Sequence, residues 1–227
     1  MRRKKITGNR QAFVERFREA EEQLIPDELD GTEAGRVKSE RYSWHYRPSH
    51  HAAAGLLTPE DVEMLKQPGR RLLSVGAHPA YYEQVLCLLG VPAENIVVAD
   101  MDPRILQSKG SMEKIVFDMN GPWPDIGSFD RIIFPESLCI AMSDRIKQAG
   151  LPAKSPEDTT FPTDALEAEM LAHILKEALR RLKPGGEIRA DGPMSHPNVV
   201  AAMSEKLKAE GCDHIVDYWR FFIAVRP

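Results

Sequence analysis

From Arg71 onward, short apolar runs alternate with stretches of helical periodicity, and the alternation persists to the end of the chain. The spacing predicts strands over Leu72–Val75, Ile96–Ala99, Lys114–Phe117, Phe129–Phe134, Glu187–Ala190, His214–Tyr218 and Phe221–Val225. Helices are predicted over Ala80–Leu89, Pro103–Lys109, Asp164–Leu182 and Asn198–Glu210. In the long helix, Leu166, Met170, His173, Ile174, Glu177 and Leu182 trace or flank a buried stripe, and Pro184-Gly185-Gly186 is the expected stop. Strands separated by helices run parallel through right-handed crossovers. The last two runs have only a turn between them, so they are expected to pair directly and end the sheet with an antiparallel strand.

The first fifty residues have a different character. Residues 10–25 place Phe13, Phe17, Ala20 and Leu24 on one helical face, and Pro26 ends the run. Residues 27–51 mix glycine, proline and charge around Tyr42, Trp44 and Tyr46, the composition of a loose linker or of a cover over a site. Thr58-Pro59-Glu60-Asp61 then opens a helix: threonine caps, proline fits the first turn, and the acids face its positive end. The expected division is an N-terminal helical extension or lid over 1–57 and a main unit over 58–227.

Composition narrows the setting. With 42% hydrophobic and 28% charged residues, the chain suits a globular core, and its net charge of −4 gives no general attraction to nucleic acid or anionic lipid. Basic residues cluster only in MRRKK at the start, which reads as a solvated terminus. Cys87, Cys139 and Cys212 fit neither a disulfide framework nor a zinc spacing, so a cytoplasmic setting is expected. No apolar run is long enough for a membrane span, and no membrane partner is expected.

The chemistry concentrates in RLLSVGAHPAYYEQVLCLLGVPAENIVVADMD, from Arg71 to Asp102. It is a strand, a tight turn, a helix and a second strand ending in carboxylates, the order of a nucleotide-binding unit. Where such a turn usually carries three glycines, this one has Gly76, His78 and Ala80. Asp102 before Pro103 suits a helix cap, whereas Asp100 sits at the strand end, where a ribose is met.

Four segments, in order, resemble landmarks of the class I S-adenosylmethionine-dependent methyltransferases: LLSVGAHPAYYE, IVVADMDPRIL, IVFDMNGPWPDIGSFDRIIFPESL and LKEALRRLKPGGEIRADG. The resemblance covers about Thr58 to Pro227. It implies a Rossmann-like three-layer α/β sandwich with a mostly parallel seven-stranded sheet, a terminal antiparallel strand and the N-terminal extension. It also implies S-adenosylmethionine as cofactor. Gly76, Ala77, His78 and Tyr81 would then form the turn against the methionine portion, whose backbone N–H groups approach the cofactor. Asp100 would accept from the ribose hydroxyls and Met101 would flank the adenine. Asp118 would accept from the adenine amino group, the Met119 N–H would meet a ring nitrogen, and Pro135 and Glu136 would project towards the methyl.

The sequence also departs from the family. Ser74 stands where many members carry an acid, His78 replaces the second glycine and Ala80 the third. Three readings of His78 stay open: a tolerated variant bonding nearby backbone, a group acting on the substrate, or the mark of a site that no longer binds cofactor. Asp118-Met119-Asn120-Gly121 also reads as plain turn chemistry.

No triad or metal cluster is expected, because a sulfonium methyl is already electrophilic and catalysis is chiefly alignment. The acceptor pocket is expected from the 41–51 segment, with Trp44, Tyr46 and His50 as candidates, and from the insertion 136–163, with Glu136. His173 is expected to be a partly buried structural residue. The reading is a methyltransferase for a small-molecule acceptor, without nucleic acid, with a homodimer as the candidate assembly. A non-catalytic protein of the same fold and an aminopropyl-type transferase are the alternatives.

Overall fold

The computed structural model describes residues 8–24, 48–135, 137–138, 150, 164–191, 197–209, 213–217 and 221–225. Trp44, Tyr46, Glu136, Cys139, His196, Cys212 and most of the 136–163 insertion lie outside them. The helices are α1 (Gly8–Leu24), α2 (Pro48–Ala54), α3 (Pro59–Leu65), α4 (Tyr81–Leu88), α5 (Asp164–Arg180) and α6 (Pro197–Ala209). The strands are β1 (Leu72–Val75), β2 (Ile96–Asp100), β3 (Glu113–Val116), β4 (Phe129–Phe134), β5 (Leu182–Asp191), β6 (Asp213–Asp217) and β7 (Phe221–Val225).

Five strands form a parallel sheet in the order β3-β2-β1-β4-β5, with Leu72 beside both Ile96 and Arg131. Beyond β5 the order continues with β7 and then β6; β7 runs antiparallel to both β5 and β6. The chain's last strand therefore lies inside the sheet.

Side-chain alternation sends the residues of β1, β2 and β4 into two cores, one per face. Leu73, Val75, Val97, Ala99, Ile132 and Phe134 pack with α5 and α6. Leu72, Ile96, Val98 and Ile133 pack on the other face with α3, α4 and the N-terminal helices, through Phe13, Phe17 and Ala52, and with Leu56 after α2. The first helix is thus part of this core: Phe17 is fully buried and stacks on Tyr82 with ring centroids 5.4 Å apart.

Three elements differ from expectation. Helix α2 falls where only a linker or cover was expected, and α5 stops at Arg180, before the Pro-Gly-Gly. That segment instead lengthens β5 to ten residues, with an irregularity in its pairing between Phe129 and Arg131. Helix Pro103–Lys109 is a 3-10 turn over Pro103–Gln107, capped by the Asp102 carboxylate, which accepts from the Arg104 N–H at 2.9 Å. Thr58 and Asp61 form the reciprocal cap expected of α3. His173 is exposed, with a ring nitrogen 3.3 Å from the Gly121 carbonyl oxygen.

Candidate functional site

The carboxyl ends of β1, β2 and β4 meet where the chain order reverses across the sheet, with β1 between β2 and β4. In open α/β sheets, this is where a crevice forms. Gly76 follows β1 with φ +74°, a left-handed conformation that disfavours a side chain. A Cβ there would lie 2.1 Å from the Ser137 Cβ, so the absence of a side chain is also a packing requirement. Ser137 is buried and donates its hydroxyl hydrogen to the Val75 carbonyl at 2.7 Å, locking the chain after β4 to the end of β1. Sequence reasoning passed over Ser137, since nothing in its immediate neighbours signals contact with Gly76.

The turn consumes its own donors. The Gly76 and Ala77 N–H groups donate to the Ala99 carbonyl at 2.8 and 3.1 Å, the Ala80 N–H to the Ala77 carbonyl, and the His78 N–H to Asp100. Pro79 has none. The expectation that these groups approach a ligand is corrected to this extent: the Gly76, Ala77 and His78 hydrogens point to β2 and that of Ala80 back into the turn, which offers a ligand its low profile. Ala80, fully buried, takes φ +67° just before α4, a left-handed conformation costly for an L-residue with a Cβ. Tyr81 opens α4 half-buried.

Asp100 ends β2 half-buried, with Oδ2 accepting from the His78 N–H at 3.0 Å and Oδ1 from the Asp102 N–H at 2.8 Å. A carboxylate has about four acceptor positions, so each oxygen keeps one more. Next to it Met101 is 64% exposed, a large apolar side chain outside both cores. Asp118 is exposed and accepts from the Asn120 N–H at 2.9 Å and its side-chain amide at 3.1 Å, the local turn chemistry foreseen as the alternative to ligand contact. Met119 holds the loop through its carbonyl, which accepts from the Trp123 indole N–H at 3.0 Å, and reaches towards Gly76 with its terminal methyl. Pro135 lies half-buried after β4, and His50 half-buried on α2.

The neighbouring His51 is the histidine that turns inward. Its Nδ1 lies 2.6 Å from Asp191 Oδ2 at the carboxyl end of β5, with both side chains buried. Tyr82 meets the His51 ring edge-on, and burial pushes its hydroxyl well above the usual tyrosine range. Along the same face of β5, Arg189 pairs with Asp61 at 2.6 Å, and Arg131 with Asp61 at 2.8 Å. Burial raises the Asp61 pKa, but the two guanidiniums and the Thr58 N–H outweigh it and hold it below the ordinary value. Sequence reasoning missed this network. Its available signal was Glu187, Arg189 and Asp191 at alternate positions of a strand covered on both faces. Among the described residues no group of three His, Cys, Asp or Glu side chains could hold a metal, and no helix is long and apolar enough to cross a membrane.

No protein-family model matches the sequence, and no curated protein matches it. Solved structures do. The chain aligns over 94% of its length with 98% of a chain from the complex between the Haloferax volcanii Trm112 methyltransferase activator and a putative methyltransferase, at 15% identity and TM-score 0.52. It aligns over 85% of its length with TrmN from Thermus thermophilus, also at 15% identity and TM-score 0.52, but spans only 52% of that chain. The N-methyltransferase NodS from Bradyrhizobium japonicum WM9, solved with S-adenosyl-L-homocysteine, aligns over 92% of this chain and 99% of its own, at 12% identity and TM-score 0.49. The fold is that of the class I S-adenosylmethionine-dependent methyltransferases, Rossmann-like with a five-stranded parallel sheet.

Proposed function

We propose that this chain is an S-adenosylmethionine-dependent methyltransferase acting on a small-molecule acceptor. The observation that carries the reading is the Asp100 carboxylate, tied by the His78 and Asp102 N–H groups to the crevice where the sheet reverses, with acceptor positions to spare. A nucleoside fits these residues. Asp100 would accept from its ribose hydroxyls, and Met101, already exposed, would cover one adenine face. Gly76, Ala77, His78, Tyr81 and Pro135 would shape the wall near the methionine portion. Asp118 can accept from the adenine amino group beside its bonds to Asn120, and the Met119 N–H would serve a ring nitrogen.

When bound, the cofactor supplies an electrophilic methyl on a sulfonium. The protein's share is to hold the acceptor in line with it and to exclude water. The acceptor side is assigned to the N-terminal extension, 1–57, through Trp44, Tyr46 and His50, and to Glu136 after β4. The remaining unit, 58–227, is read as the methyltransferase proper. Its seven-strand sheet with an antiparallel member is supported by the pairings of β7. A net charge of −4, with basic residues clustered only at the start, favours a small acceptor over nucleic acid, and a cytoplasmic setting goes with that reading.

Calorimetric titration with S-adenosylhomocysteine tests this directly. Saturable binding is expected; absence of heat and of a thermal shift at millimolar ligand would end the enzyme reading.

One observation favours a second reading, a non-catalytic protein of the same fold: the turn's N–H groups are all engaged within the protein. If that reading holds, replacing His78 by glycine and Ser74 by aspartate creates affinity for S-adenosylhomocysteine that the unaltered chain lacks.

A further inference from the structure

Strand β3 is the open edge of the sheet: among the described residues it pairs with β2 alone. The Phe117 N–H donates to the Asp100 carbonyl at 3.1 Å, one step past the pairing of Asp100 with Val116. Backbone groups alternate in direction along a strand, so Glu113, Ile115 and Phe117 serve β2. Lys114 and Val116 therefore turn their N–H and C=O groups outward. Such a row is a template for another strand unless something blunts it.

Little blunts this one. Val116 is 41% exposed, and Leu106, in the 3-10 turn that packs on β3, is 55% exposed. On the opposite face Ile115 and Phe117 are half-buried at the margin of the core that includes α5 and α6. The charges that would guard the edge are drawn back into the chain. The Glu113 carboxylate accepts from Arg71 at 3.2 Å, and the Lys114 ammonium donates to the Ser108 carbonyl at 2.5 Å. An ammonium has three donors, so Lys114 can make further bonds.

The residues of the edge select its occupant. In an antiparallel pair, outward-facing residues must stand opposite outward-facing residues. For a second copy of this chain, a register centred on Lys114 sets like charges against each other. A register centred on Ile115 sets Lys114 against the partner's Val116 and Glu113 against the partner's Phe117. Centred on Val116, the run Lys-Ile-Val-Phe-Asp over 114–118 is its own complement. Lys114 then faces the partner's Asp118 on both sides of the axis, Ile115 faces the partner's Phe117, and Val116 faces its own copy. Opposite charges and apolar pairs directly across from one another stabilise such pairing, and like charges oppose it. Asp118 suits the part, being exposed, with both of its bonds to Asn120 on Oδ1 and none of them on Oδ2.

We propose that β3 is a homodimer interface, in which two copies pair antiparallel about Val116 and join their sheets into one. The contact is self-complementary about a twofold axis, so it closes at two copies and leaves neither β3 edge open. It does not depend on the cofactor reading above.

Light scattering of the full chain at about 50 µM is expected to give twice the 25.5 kDa chain mass. Lys114→Asp and Asp118→Lys each set like charges across the axis twice, and each is expected to weaken the dimer about tenfold or more. The double reversal should return the affinity to within about threefold of the original. Melting curves show whether each variant is folded. Should a reversal not fold, Val116→Cys decides, since that side chain is exposed and faces its own copy across about 5.5 Å between Cα atoms, within disulfide reach. Mild oxidation should then cross-link Val116→Cys but neither Glu113→Cys nor the unaltered chain. A monomeric chain overturns the proposal and leaves the edge to a strand of another protein. A dimer indifferent to both reversals, one that the double reversal fails to restore, or equal cross-linking at positions 116 and 113 also overturns it.

Discussion

The backbone N–H of His78 donates to the carboxylate of Asp100 at 3.0 Å, joining the turn after β1 to the end of β2. One carboxylate thus has two tasks, holding the turn and presenting acceptors to the crevice. The turn keeps its shape without the second and third glycines because its amides are fixed from β2, by the Ala99 carbonyl and by Asp100.

Removing that carboxylate should be felt twice. Asp100→Ala is expected to cost about 2–3 kcal/mol, since the His78 and Asp102 N–H groups lose a charged acceptor. Chemical denaturation measures this, and calorimetry should show S-adenosylhomocysteine binding lowered at least about tenfold. A variant of unaltered stability and affinity would show that the carboxylate does neither task.

Gly76→Ala places a Cβ 2.1 Å from the Ser137 Cβ in a left-handed backbone. A destabilisation of about 2–4 kcal/mol is expected from clash and conformation together. Adding Ser137→Gly should recover the clash component but not the conformational one, giving a double-mutant coupling of about 1 kcal/mol or more. Purely additive losses would mean that the two residues do not compete for space.

His51 and Asp191 should behave as a unit. His51→Ala removes a buried partner 2.6 Å from the carboxylate and is expected to cost about 3 kcal/mol. His51→Ala combined with Asp191→Ala should cost less than the sum of the single changes. The melting temperatures of the four proteins check this.

Stability should carry the signature of Glu83. Its folded pKa, about 7, lies above the ordinary 4.5, so the folded protein holds this proton more tightly than the unfolded chain. The associated stability is fully present below about pH 4.5 and is lost as pH rises through about 7, by up to ~3 kcal/mol. Asp61 contributes in the opposite sense: its folded pKa is depressed, so its stability is present above the ordinary aspartate value and disappears in acid. Denaturation of the unaltered chain and of Glu83→Gln between about pH 5 and 8 isolates the Glu83 contribution. The variant's curve should lack the fall towards pH 8.

The layered fold was legible because it rests on periodicity. Leu72–Val75, Phe129–Phe134 and Phe221–Val225 stand where their apolar runs predict, and Thr58 caps its helix as its residue type suggests. Boundaries set by long-range pairing were not legible. Pro184-Gly185-Gly186 looks like a helix stop, yet Leu182 pairs with Phe129 and draws the segment into β5. At the site, the Asp100 backbone position could be inferred from the strand-turn-helix order, but not its bonds to both neighbouring loops. Ser137 against Gly76 and His51 against Asp191 were invisible for one physical reason. Each contact is made by residues 61 and 140 positions apart respectively, and no local spacing encodes it.

A crystal structure of the protein with S-adenosylhomocysteine tests the central claim most directly. The account predicts the nucleoside at the carboxyl ends of β1 and β2, both ribose hydroxyls within hydrogen-bond distance of the Asp100 carboxylate and Met101 against the adenine. A ligand seated elsewhere, or a ribose with no contact to Asp100, would contradict it.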